Sequence, residues 1–188
     1  VSGSVLVITR RFDPTADDVI VRLSARDVPI LRLDLADFPR EFRLSGRIAS
    51  GCSGWSGRVS GTRRGVSLTE VGAVWYRKPS QFHVLDAMSR TEETWSIREA
   101  RAGMGGILAT LRCTWINHPH RNVIADQKPL QLVTADEVGL AIPETIITND
   151  PVQARSFVAG QATGAVYKSL RGGPRSEGAG RWRCTRRR

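Results

Sequence analysis

Val5-Leu6-Val7-Ile8-Thr9 is a short, unbroken apolar run. Alternating burial would leave polar residues within it, so the run predicts a strand covered on both faces, as in a parallel sheet. A polar loop through Asp13-Pro14 follows. Thr15 is placed to cap a helix with Asp17 and Asp18 in its first turn, and Ala16, Ile20 and Leu23 form its apolar stripe. Pro29 to Leu35 then reads as a second strand. Strand, helix, strand in this order predicts a right-handed parallel βαβ unit and an α/β class for the chain.

Outward from that unit the pattern changes. From about residue 40 to 70, short alternating stretches such as Phe42-Arg43-Leu44 and Trp55-Ser56-Gly57-Arg58-Val59 lie between Gly and Ser, which predicts one or two inserted hairpins. Val71 to Arg77 is the next core strand and ends in Trp75-Tyr76-Arg77-Lys78-Pro79. Ser89 and Glu92 have capping-box spacing for a long helix with Ile97, Ala100, Met104, Ile107, Leu108 and Leu111 on one face. Gly103, Gly105 and Gly106 fall inside it, where close packing against the sheet is the expected reason. Further on, Trp115-Ile116-Asn117 reads as a brief strand, Pro119 as a stop, and Asp126 to Val138 as a helix ended by Gly139. Pro143 to Thr148 and Ala165 to Lys168 read as strands flanking a helix that starts at Asp150-Pro151 and stops at Gly160.

Composition sets outer limits. The chain has 188 residues, 40% apolar and 24% charged, enough hydrophobic surface for one core or two small ones. Of the formal charge of +10, residues 171–188 hold +6, from seven Arg and one Glu, leaving +4 for the rest. The basicity is therefore mostly a tail without apolar periodicity, expected to be disordered. No aromatic-rich basic stripe accompanies it, which argues against sequence-specific nucleic-acid binding. Cys52, Cys113 and Cys184 are few and far apart, so neither a disulfide framework nor a zinc site is expected. No signal-peptide pattern and no apolar stretch of membrane-spanning length is visible, which points to a soluble cytoplasmic protein.

Asn117-His118-Pro119, Asp126-Gln127-Lys128, Gly139-Leu140, Ile142-Pro143-Glu144-Thr145 and Val166-Tyr167-Lys168 form an ordered set. Their order and spacing resemble the start of the nucleotide-binding region of ATP-grasp enzymes. The Trp75-Tyr76-Arg77-Lys78-Pro79 segment is similar to a motif of ribosomal peptide maturases, the microviridin-type and RimK-like ATP-grasp ligases, and the likeness spans residues 4–173. It implies a Rossmann-like pre-ATP-grasp domain over residues 1–117, with the inserted hairpin, and an incomplete ATP-grasp subdomain over 118–170. It also implies ATP and Mg as cofactors and a ribosomally made precursor peptide as partner. Membrane is not an expected partner, and a homo-oligomer is allowed.

Lysine is scarce, with only Lys78, Lys128 and Lys168 beside 25 arginines. A Lys supplies a mobile point charge for a nucleotide phosphate. By the resemblance, Lys128 and Lys168 bind ATP, and Gly172 and Gly173 belong to a loop that covers its phosphates. Arg77 and Lys78 would face the peptide. The implied reaction makes an amide or ester through an acyl phosphate. The family's metal ligands lie beyond the second lysine, so the chain is expected to be a truncated form whose own catalytic residues and enzymatic status the sequence leaves open. The composition of residues 174–188 resembles out-of-frame translation. Two alternatives stay open: a non-catalytic peptide- or partner-binding module, and a nucleic-acid binder acting through the basic tail. His118 and His120 flank a proline without a further ligand at metal spacing and read as turn residues. Gly54-Trp55-Ser56-Gly57 lacks the strand-to-helix setting of a nucleophile elbow.

Overall fold

The computed structural model describes residues 3–61, 64–84 and 87–170, and the expectations for the tail, including Gly172 and Gly173, lie outside them. The chain divides into two compact units, Val1–Arg121 and Asn122–Arg188.

The first unit opens as the apolar pattern dictates. Strand β1 (Ser4–Ile8) is followed by helix α1 (Pro14–Ser24) and strand β2 (Ile30–Leu33), with β1 and β2 parallel and Leu6 opposite Leu31. The cap of α1 differs from expectation: Asp13 holds the N-cap and accepts from the amide of Ala16, with Pro14, not Thr15, opening the helix. A carboxylate before a proline satisfies the amides of the first turn, and the proline has none to lose. Ala16 is buried, with Ile20 and Leu23 partly covered.

The segment after β2 forms a three-stranded antiparallel sheet of β3 (Arg43–Arg47), β4 (Ser56–Ser60) and β5 (Gly65–Ser67). Gly57 sits opposite Gly46 at φ +150°, and a Cβ there would run into Ser45 O. Strand β6 (Val71–Tyr76) then returns to the main sheet and pairs parallel with the other side of β1, and β7 (Thr114–Ile116) pairs parallel with β6. The order β2-β1-β6-β7 makes a four-stranded parallel sheet.

Between β6 and β7 lies helix α2 (Arg90–Ala100), whose Ser89–Glu92 capping box is formed in both directions. The helical path continues through a π turn (Arg101–Gly105) into α3 (Gly106–Ala109). Met104 and Leu108 are buried in the core with Leu6, Ile8 and Val74, while Ile97, Ala100, Ile107 and Leu111 pack on its margin. Burying each large aliphatic side chain contributes about 1.5–3 kcal/mol. The glycines depart from expectation. A Cβ on Gly103, Gly105 or Gly106 would meet nothing within 4 Å, so they do not serve close packing; Gly103 and Gly105 fall in the π turn.

Helix α4 (Pro119–Ala125) starts where a stop was expected, because proline is tolerated in a first turn. The second unit then carries α5 (Lys128–Glu137) and α6 (Pro151–Gly160). Gly139, at φ +77°, ends the turn after α5, with Leu140 N donating to Ala135 O. Asp150 caps α6 by accepting from Val152 N at 2.7 Å. The two strands expected in this unit do not form: residues 143–148 and 165–168 are in neither strand nor helix. Strand character is conferred by a ladder partner, and residues 143–148 have none among the described residues. No described residue of the unit is buried. Val166 and Tyr167 are 78% and 84% exposed.

Candidate functional site

In the parallel sheet every strand points its C-terminal end to one edge. The chain leaves β1 toward β2, then crosses to the other side of β1 to form β6, so the loops after β1 and β6 diverge from a topological switch point. Such edges are where open α/β sheets bind ligands. The strand ladders run past the strands themselves: Thr9 N donates to Leu33 O at 3.1 Å, Arg77 N to Ile8 O at 2.9 Å, and Arg10 N to Lys78 O at 2.9 Å. The loop residues at this edge therefore have fixed backbones.

Two buried carboxylates tie the strand ends together. Asp13 is 2% exposed and accepts from Thr9 Oγ1 at 2.7 Å and from Arg77 Nε at 2.7 Å, besides capping α1. The Arg77 guanidinium lies 5.5 Å from the centre of the Trp75 ring. Asp34, at the end of β2, accepts from Ser80 N and Ser80 Oγ, both at 2.8 Å, and from Arg11 N at 3.2 Å. Arg32 pairs with Asp17 and donates through Nη2 to Arg10 O and Arg11 O, each at 2.7 Å. Arg11 pairs with Glu41 at 3.3 Å.

The hydrogen bond from Arg77, followed by that from Thr9, holds the Asp13 carboxyl well below the usual carboxylate range. Asp13 thus stays ionised and has no proton to donate. The network holds charge and geometry in place. Arg77 is largely neutralised by Asp13, whereas Arg10 and Lys78 are exposed and have no carboxylate in ion-pair range among the described residues. Of the residues singled out in sequence, Arg77 and Lys78 are thus brought to this edge. Thr9, Asp13, Asp34 and Ser80 were missed, although an Asp at the end of an apolar strand and before a helical turn is a readable capping signal.

The remaining candidates lie in the second unit. Lys128 is half-buried as the first residue of α5, and the side chain of Gln127 leaves the helix start uncapped. A cation beside free first-turn amides suits a phosphate. Lys168 is exposed in the irregular segment after α6. Neither lysine has an ion-pair partner among the described residues.

The His118 ring packs tilted against Trp115, with 4.7 Å between ring centres and 57° between ring planes. Its Nδ1 accepts from His120 N, in the first turn of α4, at 3.3 Å, and its Nε2 lies 3.4 Å from Ala109 O at the end of α3, so both ring nitrogens are engaged by the backbone. The first unit also contains an apolar cavity of about 560 Å³, lined by Phe38, Leu44, Trp95, Met104 and Ile107 among others, with Arg40 and Glu99 as its charged members.

The structure resembles solved enzymes. It superposes on the macrocyclase MdnC of Microcystis aeruginosa MRC, a structure bound with precursor peptide MdnA, with a TM-score of 0.75 and 27% identity, covering 83% of this chain and 50% of that one. The macrocyclase MdnB of the same organism gives a TM-score of 0.75 and 29% identity, covering 84% and 52%. The ATP-grasp ligase PsnB, complexed with a phosphomimetic variant of minimal precursor, Mg and ADP, gives 0.67 and 25%, covering 93% and 57%. The chain spans about half the length of these neighbours. Against curated proteins it has no match. Residues 4–122 match the family model of the MvdD pre-ATP-grasp domain, the stretch that holds the parallel sheet and its switch-point edge, and the chain belongs to that family.

Proposed function

We propose that this chain supplies the peptide-facing domain and the first phosphate-binding elements of an ATP-dependent ligase that joins a carboxylate to an amine or hydroxyl in a ribosomally made precursor peptide. The observation that carries this reading is the family match over residues 4–122. Neighbours holding a precursor peptide, or Mg and ADP, support it.

ATP supplies the phosphoryl group that converts a carboxylate to an acyl phosphate as ADP leaves; the nucleophile then forms the amide or ester, and phosphate leaves with the nucleophile's proton passing to solvent. Lys128 and Lys168 would hold the phosphates as point charges, which fits cations with no ion-pair partner among the described residues. Gly172 and Gly173 are assigned to the covering loop by the resemblance alone. Arg77 and Lys78 face the peptide, Arg77 with its guanidinium oriented by Asp13. Among the described residues no group of three or more His, Cys, Asp or Glu is arranged to hold a metal, so no Mg²⁺ ligand is assigned here.

Calorimetric titration of ATP with Mg²⁺ into the purified chain tests the nucleotide half. Wild type is expected to bind, and Lys128→Ala and Lys168→Ala each to weaken binding about tenfold or more, the scale of one charged hydrogen bond. Affinity unchanged by both substitutions overturns the assignment.

The apolar cavity of the first unit favours a second reading, a peptide-binding module without turnover. Peptide affinity that ignores both ATP and Lys168→Ala supports that version over the first.

A further inference from the structure

The loop after β1 presents more than its cations. Phe12 is 82% exposed, immediately after Arg10 and Arg11 and immediately before the buried Asp13. An aromatic ring in water beside positive charge is a typical anchor for a partner, since aromatic and cationic side chains are enriched at interface centres. The loop that carries it is rigidly held. Arg32 grips the carbonyls of Arg10 and Arg11 at 2.7 Å each, and Asp34 receives Arg11 N at 3.2 Å. Phe12 is therefore offered on a fixed backbone, which lowers the ordering cost of binding.

Charge accounting at the same edge decides the partner's sign. Arg11, Arg32 and Arg77 are matched by Glu41, Asp17 and Asp13. Asp34 is consumed by Ser80 and backbone amides. Arg10 and Lys78 remain without an ion-pair partner among the described residues. The 2.9 Å bond from Arg10 N to Lys78 O joins their backbones, which therefore run about one strand spacing apart, roughly 4.8 Å. Two exposed, long cationic side chains rooted on neighbouring backbones are both within reach of one carboxylate.

We propose that Arg10, Lys78 and Phe12 form a subsite for an acidic peptide segment, with a carboxylate side chain between Arg10 and Lys78 and a neighbouring apolar residue against Phe12. This rests on the reading of a peptide partner and adds to it the chemistry recognised at this edge. Arg10 and Lys78 are thereby specificity residues and Phe12 an affinity anchor, and Asp13 and Asp34 are the groups that hold the loop of Arg10 and Phe12.

Two blocked decapeptides test it by calorimetry, one containing Asp and Glu beside Phe and Leu, the other its Asn and Gln counterpart. The acidic peptide is expected to bind about tenfold tighter, the product of two exposed ion pairs. Arg10→Gln and Lys78→Gln should each narrow that preference by about threefold, the scale of a solvent-exposed ion pair, and Phe12→Ala should weaken both peptides alike. All three side chains are exposed, so the variants are expected to keep the wild-type circular dichroism. Equal affinity for the two peptides overturns the subsite while leaving the peptide partner intact. Binding of neither overturns both. Displacement of the acidic peptide by millimolar inorganic phosphate, with Arg10→Gln abolishing the competition, overturns the carboxylate assignment in favour of a phosphate.

Discussion

Replacing Asp13 with Asn removes the charge that joins three segments of the first unit while keeping nearly the same shape. The carboxylate accepts from Thr9 Oγ1, Arg77 Nε and the amide of Ala16, and Asp13 is 2% exposed. Breaking one side of a buried ion pair costs about 3–5 kcal/mol, and the surviving Arg77 is partly exposed, which places the expected loss near the lower end, about 3 kcal/mol. Thr9→Val removes a single hydroxyl bond and should cost about 1–2 kcal/mol. Urea unfolding followed by tryptophan emission measures both, with Trp75 and Trp115 half-buried in this unit. The pH dependence has a definite sign. The folded carboxyl is held below its unfolded value by Arg77 and Thr9, so its contribution is complete above the unfolded pKa of about 3.9 and is lost as pH falls from there toward the folded value. The difference between wild type and Asp13→Asn should therefore be flat near neutrality and shrink below about pH 4. A loss under about 1 kcal/mol at pH 7, or a gap that widens in acid, refutes the account of the strand-end network.

Three further outcomes follow from particular residues. Gly57→Ala brings a Cβ against Ser45 O at a backbone conformation of φ +150° and should cost about 1–3 kcal/mol in urea unfolding. Ser89→Ala removes half of the capping box of α2 and should cost about 1 kcal/mol by the same assay. In hydrogen exchange, amides of residues 141–149, outside every described ladder and helix, should exchange far faster than those of β1 and β6; slow exchange there would show that this segment pairs.

The parallel sheet was legible in sequence because its strands are apolar runs and its long helix carries both a capping box and a clear apolar face ending in Met104, Leu108 and Leu111. Those features are local, and burial follows from them directly. What failed was contextual. Pro143 to Thr148 and Ala165 to Lys168 have strand composition, but a strand is made by its neighbour, which no single segment encodes. Gly103 and Gly105 signalled a disturbance in the helix, which proved to be a π turn. At the edge of the sheet, Arg77 and Lys78 were visible through their motif. Asp13 and Asp34, 21 positions apart in sequence, came together with Arg77 and Ser80 only through the crossing of the strands.

The assignment of Lys128 and Lys168 to the nucleotide phosphates admits a direct test, because the chain has only three lysines. An acyl-phosphate derivative of ATP that acylates lysines near the bound phosphates, read by peptide mass spectrometry, should modify Lys128 and Lys168, spare Lys78, and be blocked by excess ATP. Labelling that falls on Lys78 as heavily as on the other two, or that ATP does not suppress, would contradict a phosphate site built on those lysines.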